Sequence, residues 1–247
     1  MEKCIEKYSK QTDYTYEIRI FVPDKPAPEE GFPIIYLLDG GWYFDLAKSV
    51  VRMQSRNKLK TNVHEAIVVG IGHSEETVRT RRFLDFTAHA EQYIFPERTN
   101  GKHMSNMPYG GAEQFERFLT TELKPWIEGQ FAVNEKEQSL FGHSLAGYYA
   151  LWTYFHRTET FQHYMAISPS VWWNDFELMK EQRTTTRNTT LMIAVGERES
   201  FMVEEARAFF EQLREPSATF YVVPNENHAS VVPTVMSRAF RTCFNQE

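Results

Sequence analysis

The sequence predicts an α/β fold in which helices flank both faces of a mostly parallel central sheet. Short apolar runs bounded by Gly or Pro alternate along the chain with stretches whose apolar residues recur at helical spacing. The 247 residues, 42% hydrophobic and 15% aromatic, suffice for a large packed core. Because the sequence shows no internal repeat or low-complexity linker, we expect a single domain over residues 1–247.

Seven runs predict strands, since most of them are short and apolar on both faces, as buried parallel strands are. The predicted strands are residues 14–23, 32–40, 65–72, 138–142, 163–168, 190–196 and 218–224. Most of them are bounded by Gly or Pro, which interrupt regular structure.

Three stretches predict helices from the spacing of their apolar residues, at 111–128, 200–214 and 230–244. Pro125 is expected to end or kink the first helix, because proline lacks a backbone donor and clashes with the preceding turn. Residues 73–110 show no clean period, and a loop of that length in a compact domain is often functional.

Charge and hydropathy argue against several classes of protein. The net charge is −6 without a long run of one sign, which does not suit a nucleic-acid surface. No stretch reaches transmembrane length, and the polar N-terminus lacks the apolar core of a secretory signal. We therefore expect a cytoplasmic protein in which Cys4 and Cys243 are free thiols, with a bridge between them as the alternative.

The stretch 139–150, SLFGHSLAGYYA, predicts a strand, a sharp turn at Ser144 and a helix. Such a turn needs small residues two positions before and after the serine, and these are Gly142 and Ala146. Alanine stands where G-x-S-x-G has its second glycine, and Gly147 follows one step late. The favoured interpretation is a nucleophilic serine, and the alternative is a tight turn with a helix-capping serine.

A nucleophilic serine needs a base, an acid that orients the base, and donors for the oxyanion. The acid and then the histidine are expected after the serine in the chain. Of the later histidines, His156 falls in the helix after the serine and His163 begins a predicted strand. His228 lies in a polar loop before the last predicted helix. It is therefore the candidate base, and a solvated loop histidine is the alternative.

The candidate acid follows the predicted strand 190–196, in the segment GERES. Glu199 is favoured as the fourth residue of G-x-x-[DE], and Glu197 is the alternative. The acid would hold the histidine tautomer and stabilise the imidazolium. Either glutamate would otherwise serve as a charge at the N-terminus of the following helix.

Two backbone amides are the candidate oxyanion donors. The first belongs to Leu145, directly after the serine, and the second to Gly41 in the segment YLLDGGWYF. Gly40 would allow close approach of the chain at this point. The alternative is an ordinary glycine turn after a strand.

Several segments, in the right order, resemble the esterase family that includes esterase D, enterochelin esterases and related siderophore trilactone esterases. The matching segments are residues 36–41, 81–87, 109–128, 142–147, 168–173, 196–200 and 226–233. The resemblance covers most of the chain and implies an α/β-hydrolase fold without a large lid domain. The chain departs from the family in carrying Ala146 before Gly147, where Gly-Gly is common.

The resemblance implies a serine esterase that works through an acyl-enzyme. It points to a cytosolic hydrolase of catecholate siderophore trilactones, of the enterobactin or bacillibactin type, that helps to release iron. The alternatives are a small-ester carboxylesterase, a thioesterase similar to S-formylglutathione hydrolase, and a ligand-binding protein that kept the fold without turnover. The expected partner is a small-molecule ester, with no nucleic acid and no membrane.

The resemblance also suggests which residues would contact an aromatic, anionic ligand. The expected substrate contacts are Trp172, Trp173, Arg79, Arg81 and Arg82. The alternative for the tryptophans is core packing, and for Arg82 it is a salt bridge with Asp85. The histidines before the serine lack metal-ligand spacing, so we expect neither a metal nor a cofactor. These histidines are His64, His73, His89 and His103.

Overall fold

The computed structural model describes residues 1–99, 104, 106–157, 159–181 and 189–244. Within these residues, eight strands form one sheet in the order β1-β2-β4-β3-β5-β6-β7-β8. The strands are β1 Glu2–Ser9, β2 Tyr14–Phe21, β3 Phe32–Leu38, β4 Ile67–Gly72, β5 Val133–His143, β6 His163–Ile167, β7 Thr190–Gly196 and β8 Ala218–Val223. The pairs β1–β2 and β2–β4 are antiparallel and the others are parallel, which confirms the mostly parallel sheet.

Helices connect the strands and cover both faces of the sheet. The α-helices are α1 Gly40–Gln54, α2 Lys58–Thr61, α3 Val78–Asp85, α4 Ala112–Arg117, α5 Lys124–Glu128, α6 Leu145–His156, α7 Trp173–Phe176, α8 Phe201–Leu213 and α9 Val231–Cys243. Short 3-10 helices lie at Ser55–Asn57, Glu97–Thr99 and Glu177–Lys180.

Alternate residues of the central strands enter two hydrophobic cores, one on each face of the sheet. On β3, Ile34 and Tyr36 belong to the first core, whereas Ile35 and Leu37 belong to the second. All four are fully buried. Helix α6 packs in the first core, and α1 and α9 pack in the second. Burial on both faces explains why the strand sequences are continuous apolar runs.

Among the elements that the sequence did not predict, β1 and α3 lack a strong apolar pattern. β1 is an edge strand with mostly exposed, charged side chains, so it lacks the signal of a buried strand. α3 lies inside residues 73–110, where the sequence shows no clean period. Its Arg81 and Arg82 pair with buried carboxylates, so charged residues occupy inward-facing positions and the helix shows no hydrophobic periodicity.

The predicted helix 111–128 does not end at Pro125. Helix α4 passes into a π-helical segment, Phe118–Leu123, and α5 then continues to its end. Pro125 lies in the first turn of α5, where a missing N–H costs least. The π-helical segment changes the hydrogen-bond pattern just before the proline, so the chain stays helical through it.

The carboxyl ends of the parallel strands β3, β5 and β7 meet at one edge of the sheet, which is where ligands bind in such sheets. The segments that follow β3, β5 and β7 hold Gly41, Ser144 and Glu199, and His228 follows the parallel neighbouring strand β8. Among the described helices, none is long and apolar enough to cross a membrane. Cys4 is a free, exposed thiol on β1, and the side chain of Cys243 lies outside the described residues.

Candidate active site

Ser144 lies on a strained turn between β5 and α6. Its φ of 61° and ψ of −119° fall outside the regions that non-glycine residues favour. Its N–H donates to the Ile167 carbonyl (2.9 Å), and its carbonyl accepts from the Tyr148 N–H (2.9 Å). The surrounding backbone therefore fixes the conformation that presents the serine.

Close backbone approach requires small residues around the serine. A Cβ atom on Gly142 would lie 2.1 Å from the carbonyl oxygen of Ala146, so only glycine fits there. The Ala146 methyl is accommodated in the first core, where the residue is fully buried. A Cβ atom on Gly147 would lie 3.0 Å from the Ile167 oxygen. The late glycine therefore lets α6 approach the end of β6.

The Ser144 hydroxyl contacts a histidine instead of capping its helix. Helix α6 has no side-chain capping hydrogen bond, which contradicts the helix-capping alternative. The Ser144 Oγ lies 3.0 Å from the Nε2 of His228, on the loop between β8 and α9. This distance is suitable for proton transfer between the two groups.

Glu199 is the acidic partner of His228. Its Oε2 lies 2.6 Å from the histidine Nδ1, while its Oε1 accepts from the Ser168 hydroxyl (2.5 Å) and the Gly196 N–H (2.6 Å). Burial has the largest single influence on the Glu199 pKa and raises it. The hydrogen bonds from its three partners and the charge of His228 together outweigh burial, so the pKa lies below its usual value and favours the carboxylate.

Glu197 contacts a different part of the loop. It is exposed, and its Oε2 accepts from the Asn225 N–H at 2.7 Å. Of the two candidate acids, Glu199 and not Glu197 therefore contacts the histidine. A Cβ atom on Gly196 would lie 2.8 Å from the Glu199 Oε1, so glycine at this position lets the carboxylate fold back onto the strand end.

The two candidate oxyanion donors are amides in the first turns of helices. Leu145 is the first residue of α6 and Gly41 is the second of α1, and such amides have no i−4 acceptor within their helix. They also lie at the positive end of the helix dipole, which favours an anion. Outside its own helix, a Cβ atom on Gly41 would meet no heavy atom of the described residues within 4 Å, whereas one on Gly40 would lie 2.5 Å from the Gly70 backbone.

Arg82 braces the turn that carries Gly41. It binds both carboxylate oxygens of Asp39, with Nε–Oδ1 at 2.7 Å and Nη2–Oδ2 at 3.0 Å, and the Asp39 side chain is 1% exposed. The Asp39 carbonyl accepts from the Trp42 N–H (2.9 Å), and Asp39 has a left-handed φ of 56°. The bidentate pair holds this strained residue in place. Arg82 thus pairs with Asp39 and not with Asp85, its alternative partner, and its substrate contact stays a prediction.

The other two arginines of α3 differ in their surroundings. Arg81 donates to Asp85 (2.5 Å) and to the Tyr16 hydroxyl (3.1 Å). The salt bridge with Asp85 that was the alternative for Arg82 is thus made by Arg81. Because its guanidinium is engaged within the protein, the structure does not support its expected substrate contact. Arg79 is exposed and has no ion pair with the described residues, so it is available to a ligand.

Trp173 lies in the core and not at a cleft, which makes the expected substrate contact of this residue wrong. It is fully buried, and the ring centroids of Phe95 and Tyr109 lie 5.1 and 5.2 Å from its own. Trp172 is partly buried, with its ring centroid 6.1 Å from that of Trp173. Of the two tryptophans, only Trp172 offers surface to a ligand.

Asp39 and Trp42 are among the residues of this site that were not expected from the sequence. Asp39 fixes the turn through Arg82, as described above. Trp42 is 58% exposed beside Gly41, and the Arg82 guanidinium lies 5.2 Å from its ring centroid. The available signal was their position in YLLDGGWYF, on either side of the glycine pair.

No group of three or more His, Cys, Asp or Glu side chains is placed to hold a metal ion in the part of the chain that the structure describes. His73 instead lies 3.0 Å from Asp85, and His64 stacks on Phe244 with a centroid distance of 5.1 Å. His103 lies outside the described residues.

The chain is similar to known esterases over nearly its whole length. A sequence model of the family described as "Putative esterase" matches residues 9–229. The ferri-bacillibactin esterase BesA of Bacillus subtilis is 37% identical, over 97% of this chain and 88% of that protein. A siderophore enterobactin esterase of Emericella nidulans is 28% identical, over 69% of this chain and 59% of that protein.

A solved structure shares the fold. The crystal structure of the BES protein from Bacillus cereus matches with a TM-score of 0.87 at 34% identity, over 98% of this chain and 95% of that chain. The sheet order, the flanking helices and this match agree on the architecture. The chain therefore belongs to the Putative esterase family and is a carboxylic ester hydrolase with the α/β-hydrolase fold.

Proposed function

We propose that this chain is a serine esterase that hydrolyses catecholate siderophore trilactones through an acyl-enzyme. The observation that carries the proposal is the line of contacts from Glu199 through His228 to Ser144, at 2.6 and 3.0 Å. A serine hydroxyl becomes a useful nucleophile when an oriented base of this kind takes its proton.

In the first half of the proposed reaction, the Ser144 Oγ attacks the ester carbonyl carbon while His228 Nε2 accepts the hydroxyl proton. Glu199 keeps a hydrogen on Nδ1 of the histidine and stabilises the imidazolium. The amides of Leu145 and Gly41 donate to the oxyanion of the tetrahedral intermediate. The ester C–O bond then breaks, and the leaving oxygen takes the proton from His228.

In the second half, a water molecule attacks the acyl carbon and gives its proton to His228 Nε2. The second tetrahedral intermediate forms its oxyanion in the same place, so the same two amides serve both steps. When it collapses, the bond to the Ser144 Oγ breaks and the serine takes the proton back. The products are a carboxylic acid, an alcohol and the original enzyme.

Two observations support a siderophore as the ester. The relatives described above are named for ferri-bacillibactin and enterobactin, and the first of them matches 97% of this chain. The exposed ring of Trp42 and the exposed guanidinium of Arg79 are the kinds of group that bind an aromatic, anionic ligand. We propose that the reaction takes place in the cytosol after uptake, where hydrolysis would help to release iron.

The test is to incubate the enzyme with a ferric catecholate trilactone, with the iron-free trilactone and with p-nitrophenyl butyrate. Mass spectrometry follows ring opening, and absorbance follows the simple ester. We expect the wild type to open the trilactone, Ser144→Ala to lose about 10⁴-fold or more in kcat, and Glu197→Gln to retain activity as the matched control.

The alternatives predict other outcomes of the same test. An unchanged trilactone beside fast cleavage of the simple ester would indicate a general carboxylesterase. Faster turnover of S-formylglutathione would indicate a thioesterase. Trilactone binding by a wild type as inert as Ser144→Ala would indicate a binding protein.

A further inference from the structure

A second imidazole lies against the ring of His228. It belongs to His143, the last residue of β5 and the neighbour of Ser144. The two ring centroids are 4.6 Å apart with an interplanar angle of 39°. His143 is 8% exposed, whereas the His228 side chain is 42% exposed. The buried ring therefore covers one side of a ring that solvent reaches on the other.

His143 is in turn held by Tyr43 of α1. The Tyr43 hydroxyl lies 3.0 Å from the His143 Nδ1, and the two rings meet edge to face with centroids 6.0 Å apart. Tyr43 also packs edge to face on Phe141, two residues earlier on β5. Burial, followed by the charge of Asp39, raises the pKa of Tyr43 to about 12, so the hydroxyl keeps its proton.

The surroundings of His143 keep its ring neutral. Burial and then the positive charge of His228 lower the pKa of His143 to about 3, Glu199 acts in the opposite direction, and Arg82 lowers it further. A neutral imidazole has one donor and one acceptor nitrogen. With Nδ1 accepting from the Tyr43 hydroxyl, the hydrogen is on Nε2, which is buried. A hydrogen bond of the ring to the His228 backbone opposes the lowering of the His143 pKa without cancelling it.

We propose that His143 is a positioning residue: its neutral ring, fixed by Tyr43, packs on the His228 imidazole and keeps it aligned between Ser144 and Glu199. This inference rests on the proposed serine mechanism and adds a part to it. Tyr43 stands two residues after Gly41, and His143 stands one residue before the serine. The contact thus ties the oxyanion turn, the serine turn and the histidine loop to one another.

Neutrality of His143 matters to the proposed reaction. His228 becomes an imidazolium in each half of the reaction, and a protonated ring 4.6 Å away would repel it. A ring that is buried and hydrogen-bonded through Nδ1 supports the histidine without adding charge. Phenylalanine at position 143 would keep the ring contact and lose the hydrogen bond, while alanine would lose both.

The test compares His143→Ala, His143→Phe and Tyr43→Phe with the wild type, using p-nitrophenyl butyrate. We expect His143→Ala to lower kcat by about 10- to 100-fold with KM changed by no more than about threefold, because misalignment near the chemistry costs rate more than binding. His143→Phe and Tyr43→Phe should each lose about 3- to 10-fold, since each keeps part of the support. His156→Ala, a histidine on α6 paired with Glu181, is the matched control.

A spectroscopic readout separates positioning from general damage to the fold. The proton between His228 Nδ1 and Glu199 gives a low-field proton resonance when that hydrogen bond is held. We expect the resonance to broaden or vanish in folded His143→Ala and to persist in His143→Phe and His156→Ala. Circular dichroism and a melting curve check that each variant is folded.

The results distinguish this inference from the proposed function. Wild-type kcat and an unchanged resonance in folded His143→Ala, while Ser144→Ala is inactive, would overturn the positioning role alone. If His143→Ala does not fold, wild-type values in both His143→Phe and Tyr43→Phe would overturn it. Full turnover by Ser144→Ala would overturn the proposed mechanism, and the positioning role with it.

Discussion

Replacing Arg82 by glutamine should lower kcat much more than it raises KM. The change removes both hydrogen bonds to Asp39, whose carboxylate is 1% exposed and stays behind in a buried site. The turn that carries Gly41 then loses the ion pair that holds it. Complete removal of an oxyanion donor costs about 10²- to 10³-fold in kcat. Because here the donor is displaced and not deleted, we expect a loss of about 10- to 100-fold.

The same substitution should reduce the free energy of unfolding by about 3 kcal/mol, since breaking a buried pair leaves an uncompensated charge. Adding Asp39→Asn to Arg82→Gln removes that charge and should recover part of the stability without restoring kcat. Urea unfolding of the single and double variants measures the free energy of unfolding. Steady-state kinetics with p-nitrophenyl butyrate and a ferric trilactone measure kcat and KM.

Arg79→Gln is the matched control, because Arg79 lies on the same helix and is exposed. If it binds an anionic siderophore, its loss should raise KM for the trilactone and leave stability and kcat for the simple ester unchanged. A higher KM for the trilactone with wild-type kcat and stability in Arg82→Gln would refute the bracing role. That result would instead support the substrate contact that the sequence predicts for Arg82.

Three further predictions follow from the geometry. Glu199→Gln should lower kcat by about 10²-fold or more, whereas Glu197→Gln should stay within about twofold, as steady-state kinetics would show; the reverse order would contradict the assigned acid. The pKa of Glu199 in the folded protein lies below the 4.5 of a free glutamate carboxyl. The Glu199 carboxylate therefore stabilises the fold fully above pH 4.5, and this stabilisation is lost as the pH falls through the folded-state pKa. The difference in free energy of unfolding between wild type and Glu199→Gln should therefore shrink as the pH falls below 4.5. A difference that stays constant would contradict the lowered pKa of Glu199. Gly142→Ala should destabilise the fold by about 3 kcal/mol, because its Cβ would lie 2.1 Å from the Ala146 oxygen, whereas Gly41→Ala should melt like the wild type.

The buried parts of the fold were predictable because their sequences carry one dominant signal. Strands such as β4 and β7 are buried on both faces, so apolar runs mark them within a few residues of their ends. β1 and α3 carry no such signal, since charged and polar side chains dominate both. The helical path through Pro125 depends on the π segment before it, which hydrophobic periodicity does not report.

The arrangement of Ser144, Glu199 and His228 was predictable because each lies in a loop whose order along the chain the fold dictates. The partners of the arginines were not predictable, because Asp39 and Arg82 are 43 residues apart and both Asp39 and Asp85 are suitable partners for a guanidinium. The expected position of Trp173 at a cleft was wrong for a related reason. An aromatic residue at the sheet edge suits a cleft or a core, and only its fully buried position distinguishes them.

His143 escaped the sequence analysis because the position before the serine accepts any residue in G-x-S-x-G. Its contacts come from Tyr43 and His228, which are 100 and 85 positions away in the chain. The chemistry-bearing residues of a motif are thus visible in the sequence, whereas the residues that hold them in place depend on long-range packing.

Trapping the acyl-enzyme tests whether Ser144 is the nucleophile. The wild type and Ser144→Ala would be mixed with excess p-nitrophenyl butyrate, quenched in acid within one turnover and digested. Mass spectrometry would then locate the acyl group. We expect a butyryl adduct on the peptide containing Ser144 in the wild type and no adduct in the variant. An adduct at another residue, or wild-type hydrolysis by Ser144→Ala, would contradict this expectation.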